Sequence, residues 1–310
     1  MGINNLIRLL MISFILNLFF QHCSKTPTDN GNNDYSIPWE KYNTIDTEPD
    51  WSPDGNRIVY THLPQDSIEW YNGPYQIWIL YLDSMNKEYI TTGYTPTWSP
   101  DGDKIAYGNS KNIFVIDLRN KLISQLTDWG ECFYPSWSPD GEKIAFDTNY
   151  ENPTGLNSIW IMNADGSEKK NISNQDTLGM REPNWSPNGY EILYSRAIRD
   201  SLTDYFIIDT SGSSTNRITK NDFTDRDADW SFNGKYIAWG SYGTGNNPLS
   251  GIWVMNADGS EPFQVTQWGG YPTWSPDGSQ IVYYQSYNDS TGTLWIMNAD
   301  GTNQRPLTMP

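Results

Sequence analysis

One motif, repeated six times, limits what this chain can become. Trp-Ser-Pro-Asp-Gly, exact or nearly so and followed by an alternating apolar run, begins at Trp51, Trp98, Trp137, Trp185, Trp230 and Trp274. Successive spacings are 47, 39, 48, 45 and 44 residues, which suits a β-propeller blade of about 40–45 residues. The stretch from Pro135 to Gly166 shows the unit in full: PSWSPDGEKIAFD, a variable loop, then SIWIMNADG. Six such units in register predict an all-β fold, a six-bladed β-propeller of four-stranded antiparallel blades over residues 47–310.

Each repeat divides into four short strands. The innermost carries the motif Trp, the second reads like KIAFD at 143–147, and the third reads like IWIM at 159–162. A short fourth strand ends near Thr, as in QLT, RIT, QVT and PLT. In Ser-Pro-Asp-Gly, proline presets φ at the first central turn position and glycine takes the left-handed one. Asn-Ala-Asp-Gly at 163–166, 256–259 and 298–301 does similar work in the next hairpin. Recurring aspartates of this kind read as turn formers, not metal ligands. The Trp of each inner strand and the aromatic residue of each third strand are expected to fill the wedges between blades. Departures fall in blade four (SPNG, DTSGSS) and blade five (SFNG), where Asn tolerates the same turn geometry. For ring closure, Pro306-Leu307-Thr308 is preferred over Asn43-Thr44-Ile45 as the last outer strand, with residues 36–46 packed alongside.

Residues 1–22 read as an export signal, with Arg8 ahead of an apolar run from Leu9 to Phe20. That run is too short to span a bilayer comfortably. Cys23 follows, then a polar tether to residue 46 with little to bury. The arrangement resembles a bacterial lipoprotein signal, in which the cysteine is lipidated. Phe20-Gln21-His22 stand where that signal has small and aliphatic residues, and cleavage elsewhere as a secretory signal is the alternative. Ser24 after the cysteine implies the outer membrane. Cys132 reads as a partly buried free thiol. A formal net charge of −17 argues against nucleic acid, whose phosphates need a basic surface.

The run Pro-x-Trp-Ser-Pro-Asp-Gly, Ile-Ala-Phe, Ile-Trp-Ile-Met-Asn-Ala-Asp-Gly-Ser resembles the propeller repeats of the TolB family over residues 47–308. The resemblance implies a periplasmic propeller that binds proteins through the mouth of its central channel. TolB itself carries an additional α/β domain ahead of the propeller; the tether from Cys23 to Asp46 leaves no room for one.

With this strand order the SPDG and NADG turns share one face, and the variable loops share the other. Function in such a scaffold concentrates in loops. Trp70, Tyr71, Trp129, Tyr134, Trp268 and Tyr271 fall on the variable face, beside Arg181 and the run Asp225-Arg226-Asp227-Ala228-Asp229. Tyr and Trp make good anchors for proteins or sugars. Alternate aspartates on an extended segment point the same way: Asp225, Asp227 and Asp229 form an acidic rim or cationic-partner site, or less favourably hold a hard cation. No residue is assigned to a metal or cofactor.

Three functions compete: a tethered, non-catalytic propeller binding an envelope protein, a glycan-binding propeller, and a lyase or hydrolase like the related oligogalacturonate lyases. His occurs only at His22 and His62, so the His-rich metal site of those lyases cannot be assembled. There is no Gly-x-Ser-x-Gly elbow either. The expectation is therefore a non-enzymatic, monomeric lipoprotein whose partner-binding face comprises Trp70, Tyr71, Trp129, Tyr134, Arg181, Asp225, Asp227, Asp229, Trp268 and Tyr271.

Overall fold

A computed structural model describes residues 44–64, 75–173, 178–199, 202–243, 249–288 and 291–308, which form strands and turns with no helix. The strands pair antiparallel in six consecutive runs of four. The third run is typical: Cys132–Trp137, Lys143–Thr148, Ser158–Asn163 and Lys170–Asn171. The second strand is buried on both faces: Ile144 and Phe146 point to one side, Ala145 and Asp147 to the other, and none of the four is exposed. In the sixth run Arg305–Pro306 pairs with Ile296 and Trp295, so the C-terminal segment supplies the outer strand as expected. Ile45 sits beside Gly292 in a single parallel bridge.

The turn aspartates do what the motif predicts. Ser138 Oγ donates to Asp140 Oδ1 at 2.5 Å, Glu142 N donates to the same oxygen at 3.0 Å, and Lys143 N donates to Ser138 Oγ at 2.9 Å. Such hydrogen bonds hold Asp140 below the usual carboxylate range, as they do Asp277. Asn188 and Asn233 replace the aspartate in units four and five. The Thr or Ser after a short fourth strand ties that strand's end back to the third. Thr127, Ser173, Thr219 and Thr308 accept the N–H of Ile113, Ile159, Tyr205 and Leu294 on the third strands.

Core packing lies between units. Trp98 of unit two clusters with Val59 and Ile79 of unit one, and Trp137 clusters with Ile113 and Leu126 of unit two. Trp185 packs with Ile159, Trp230 with Tyr205, and Trp274 with Val254. Trp51 of unit one packs with Val282 and Ile296 of unit six. The inner strands of neighbouring units contact one another in the same order, the sixth beside the first. The inner-strand indoles thus fill the wedges, with third-strand rings such as Trp160 and Phe206 beside them. All six indole N–H groups are buried without a hydrogen-bond partner, a cost the apolar burial of each ring must exceed.

Candidate functional site: an axial ring of bulged residues

Every inner strand breaks its register at the same place. The ladder shifts between Thr47 and Asp50, Tyr94 and Thr97, Arg181 and Asn184, Arg226 and Asp229, and Gly270 and Thr273, and likewise opposite Ala145–Asp147 in unit three. These are β-bulges, which re-aim a side chain and sharpen the local twist. The first bulged residues are Glu48, Thr95, Tyr134, Glu182, Asp227 and Tyr271, all with φ between 49° and 59°. Left-handed backbone in a non-glycine residue costs about 1 kcal/mol. Five of the six precede proline, and Asp227 precedes Ala228.

Five of these six side chains, all but Thr95, sense one another across the fold. Glu48 of unit one is raised by burial and, in smaller part, by the charge of Glu182 in unit four. Tyr134 and Tyr271 are pushed well up by burial and then by nearby carboxylates, Glu48 and Asp227 among them. Residues from opposite units interact this way only if they converge near an axis. Neighbours are also stitched together: Thr95 N donates to Glu48 Oε2 at 2.8 Å, Asp227 N to Glu182 Oε2 at 3.2 Å, and Glu182 N to Asp147 Oδ2 at 3.0 Å. Arg226 Nη1 lies 4.0 Å from Glu182 Oε1. Tyr242 Oη donates to Asp227 Oδ2 at 2.9 Å.

A second layer sits two residues on, beside the motif Trp. Asp50 Oδ2 accepts Trp98 N at 2.7 Å, Ser136 Oγ accepts Trp185 N at 2.9 Å, and Asp229 Oδ2 accepts Trp274 N at 2.9 Å. Asn184 Nδ2 donates to Asp229 Oδ1 at 3.3 Å. Burial, with the charge of Asp229, pushes Asp50 up to about 7, and burial pushes Asp229 to about 6. Asp227 is raised well above the carboxylate range by burial and by Glu182. Burial thus favours the protonated, hydrogen-bonding forms of Glu48, Asp227 and the two tyrosines of the ring. Thr95 Oγ1 and Asp227 Oδ1 are buried there without a partner from the chain, a condition that favours a ligand able to bond them.

The residues singled out from sequence separate into groups. Tyr134, Asp227 and Tyr271 join the first layer, Asp229 the second, and Arg181 stands exposed beside Glu182. Asp225 does not share a face with Asp227 and Asp229, contrary to the alternation read from sequence. The bulge at Asp227 flips the register, and Asp225 is fully buried, accepting from Trp239 Nε1, Ser241 Oγ and Asn221 Nδ2. Among the described residues, no group of three or more His, Cys, Asp or Glu side chains could hold a metal ion. Trp129 is half-buried in the seam between units two and three, its ring centroid 3.9 Å from Tyr150 and 5.4 Å from Trp160. Trp268 is half-buried at the matching place between units five and six. Cys23, Trp70 and Tyr71 lie outside the described residues. His62 lies in the strand Arg57–Leu63 with Nδ1 2.6 Å from Asp46 Oδ1. Thr95, Glu182 and Asp147 were not singled out from sequence. For Thr95 and Glu182 the signal was present: the residue ahead of Pro-x-Trp varies while its surroundings repeat.

Comparison with known proteins agrees with the geometry. A family model described as TolB beta propeller domain matches residues 64–310. An uncharacterized protein of Agrobacterium fabrum is 30% identical over 103 residues, 32% of this chain, so the match spans about a third of that curated relative's length (33%). The crystal structure of TolB from Acinetobacter baumannii superposes with a TM-score of 0.67 at 23% identity, over 80% of this chain and 62% of that one. An oligogalacturonate lyase from Vibrio parahaemolyticus superposes at 0.57 and 14% identity, over 85% of this chain and 78% of that one. At these identities the superpositions establish the fold alone.

Proposed function

The chain belongs to the TolB β-propeller domain family, and from that premise we propose a non-catalytic, six-bladed envelope propeller that binds a protein partner at its axial ring. The observation that carries this reading is variation at a repeated position. Pro and Trp recur around the bulge almost without change, while the bulged residue runs Glu, Thr, Tyr, Glu, Asp, Tyr. A position used only for folding would repeat as its neighbours do. Here it holds acids and phenols whose burial costs stability, with two buried polar atoms still unbonded.

Six blades in a closed ring are supported by the core cluster shared between the first and sixth units. Absence of catalysis is supported by the character of the ring: its acids are engaged by backbone N–H groups, and His62 is spent on Asp46. Envelope attachment rests on Cys23 behind its apolar run. Mass spectrometry of the mature N-terminal peptide tests it: lipid on Cys23 is expected, and a chain starting beyond Cys23 would refute anchoring.

For the ring, the test is crosslinked capture from the envelope of the native organism, with a glycan array run in parallel. Wild type is expected to retain a protein that Glu182→Gln and Tyr134→Ala lose, with no sugar signal. A sugar signal lost in the same variants would move the reading to glycan. Capture indifferent to both substitutions would remove the axial ring as the site.

A further inference from the structure

Six inner strands contact one another in a closed cycle, so the places of the axial ring pair across its centre, unit one with four, two with five and three with six. Glu48 therefore faces Glu182, Tyr134 faces Tyr271, and Thr95 faces Asp227. Thr95 Oγ1 and Asp227 Oδ1, the two ring atoms buried without a partner from the chain, are thus set opposite each other. Buried polar atoms are nearly always bonded, so an orphaned pair facing across an axis calls for a group able to bond both.

The carboxyls decide what that group is. Glu48, Asp50, Glu182, Asp227 and Asp229 converge there, and Arg226, with Nη1 4.0 Å from Glu182 Oε1, cannot balance them all. Burial and the charge of Glu182 favour a proton on Asp227; a cation that takes the place of that proton leaves the net charge as it was. Each bulge carboxyl also turns one oxygen into the wall. Glu48 Oε2 accepts Thr61 Oγ1 at 2.7 Å and Thr95 N at 2.8 Å, Glu182 Oε2 accepts Asp227 N at 3.2 Å, and Asp227 Oδ2 accepts Tyr242 Oη at 2.9 Å. A guanidinium fork uses both oxygens of one carboxylate. Single oxygens spread round an axis suit an ammonium, whose three N–H groups diverge. Tyr134 and Tyr271 stand on the two remaining sides, where an apolar stem can lie along their rings. We infer that the axial ring seats one primary ammonium, the Nζ of a lysine side chain of the protein partner, bonded to Asp227 Oδ1 and Thr95 Oγ1. This rests on the reading of the ring as the partner's site.

The test is ligand-observed saturation-transfer NMR on the intact protein with n-butylammonium, the end of a lysine side chain, beside n-butylguanidinium and n-butanol. One saturable site is expected for the ammonium, at least tenfold tighter than for the guanidinium, and none for butanol. Thr95→Val keeps the side chain's shape and removes a hydroxyl that has no partner in the chain, so it should fold as wild type does and weaken the ammonium at least tenfold. Asp227→Asn should weaken it as much where a cooperative thermal melt remains, and Asp222→Asn, at an exposed acid paired with Arg199, should change nothing. Added before crosslinking, butylammonium should abolish capture of the partner where equal sodium chloride does not. Ammonium binding without that loss would overturn the assignment to a partner's lysine. Butanol binding as tightly as the ammonium, or ammonium binding unchanged in the folded Thr95→Val and Asp227→Asn variants, overturns the ammonium itself. Capture still lost in Glu182→Gln and Tyr134→Ala would then leave the axial ring as the partner's site and only this inference at fault.

Discussion

Asp50→Asn gives the sharpest test of how the axial layers are held. Asp50 joins units one and two through Trp98 N at 2.7 Å, yet burial and the charge of Asp229 raise its pKa from 3.8 to about 7. The sign follows from linkage. Between about pH 4 and pH 7 the folded chain keeps a proton that the unfolded chain releases, so this group lowers stability as pH rises. From pH 5 to pH 8 about two pH units of that window are crossed, or about 3 kcal/mol at about 1.4 kcal/mol per unit. Relaxation around a buried charge halves such figures readily, leaving about 1.5 kcal/mol.

Asparagine keeps the oxygen that accepts Trp98 N and removes the charge. Its advantage over wild type should therefore grow by about 1.5–3 kcal/mol between pH 5 and pH 8. Urea unfolding followed by tryptophan fluorescence at pH 5, 6, 7 and 8 measures this as a difference between two midpoint curves. Groups that do not sense Asp50, including the turn aspartates that lose their contribution below about pH 4, cancel in that difference. A pH-independent gap between variant and wild type would refute the assignment of Asp50 as a strained buried acid. So would a gap that closes as pH rises.

Arg226→Met should cost about 3 kcal/mol, because Glu182 loses its charge partner; adding Glu182→Gln should recover part of it in a double-mutant cycle measured by urea unfolding. Gly270→Ala would place a Cβ 2.0 Å from Tyr242 Oη, so the Tyr242–Asp227 hydrogen bond should break and capture of the axial partner should fall with the overall fold kept by circular dichroism. Ser138→Ala removes one donor and one acceptor from the third Ser-Pro-Asp-Gly turn and should lower stability by about 1–2 kcal/mol, read as a drop in thermal midpoint.

Much of the fold was legible because its devices are local. The turn residues, the period-2 strands and the seam indoles all lie within one repeat, and each repeats. What escaped was the bulge. An extended reading of Asp225-Arg226-Asp227-Ala228-Asp229 aligns three carboxylates on one face, but a single inserted residue turns the alternation over and sends Asp225 into a pocket of Trp239 and Ser241. Trp129 was unreadable for a different reason. Its neighbours Phe146 and Trp160 belong to the next unit, and no local pattern tells a rim aromatic from a seam aromatic.

In a repeated architecture the informative residue is the one that changes where its surroundings do not. At the bulge, six equivalent backbone positions share left-handed φ, so backbone geometry cannot explain why one is Thr95 and another Glu182. Only what meets at the axis can.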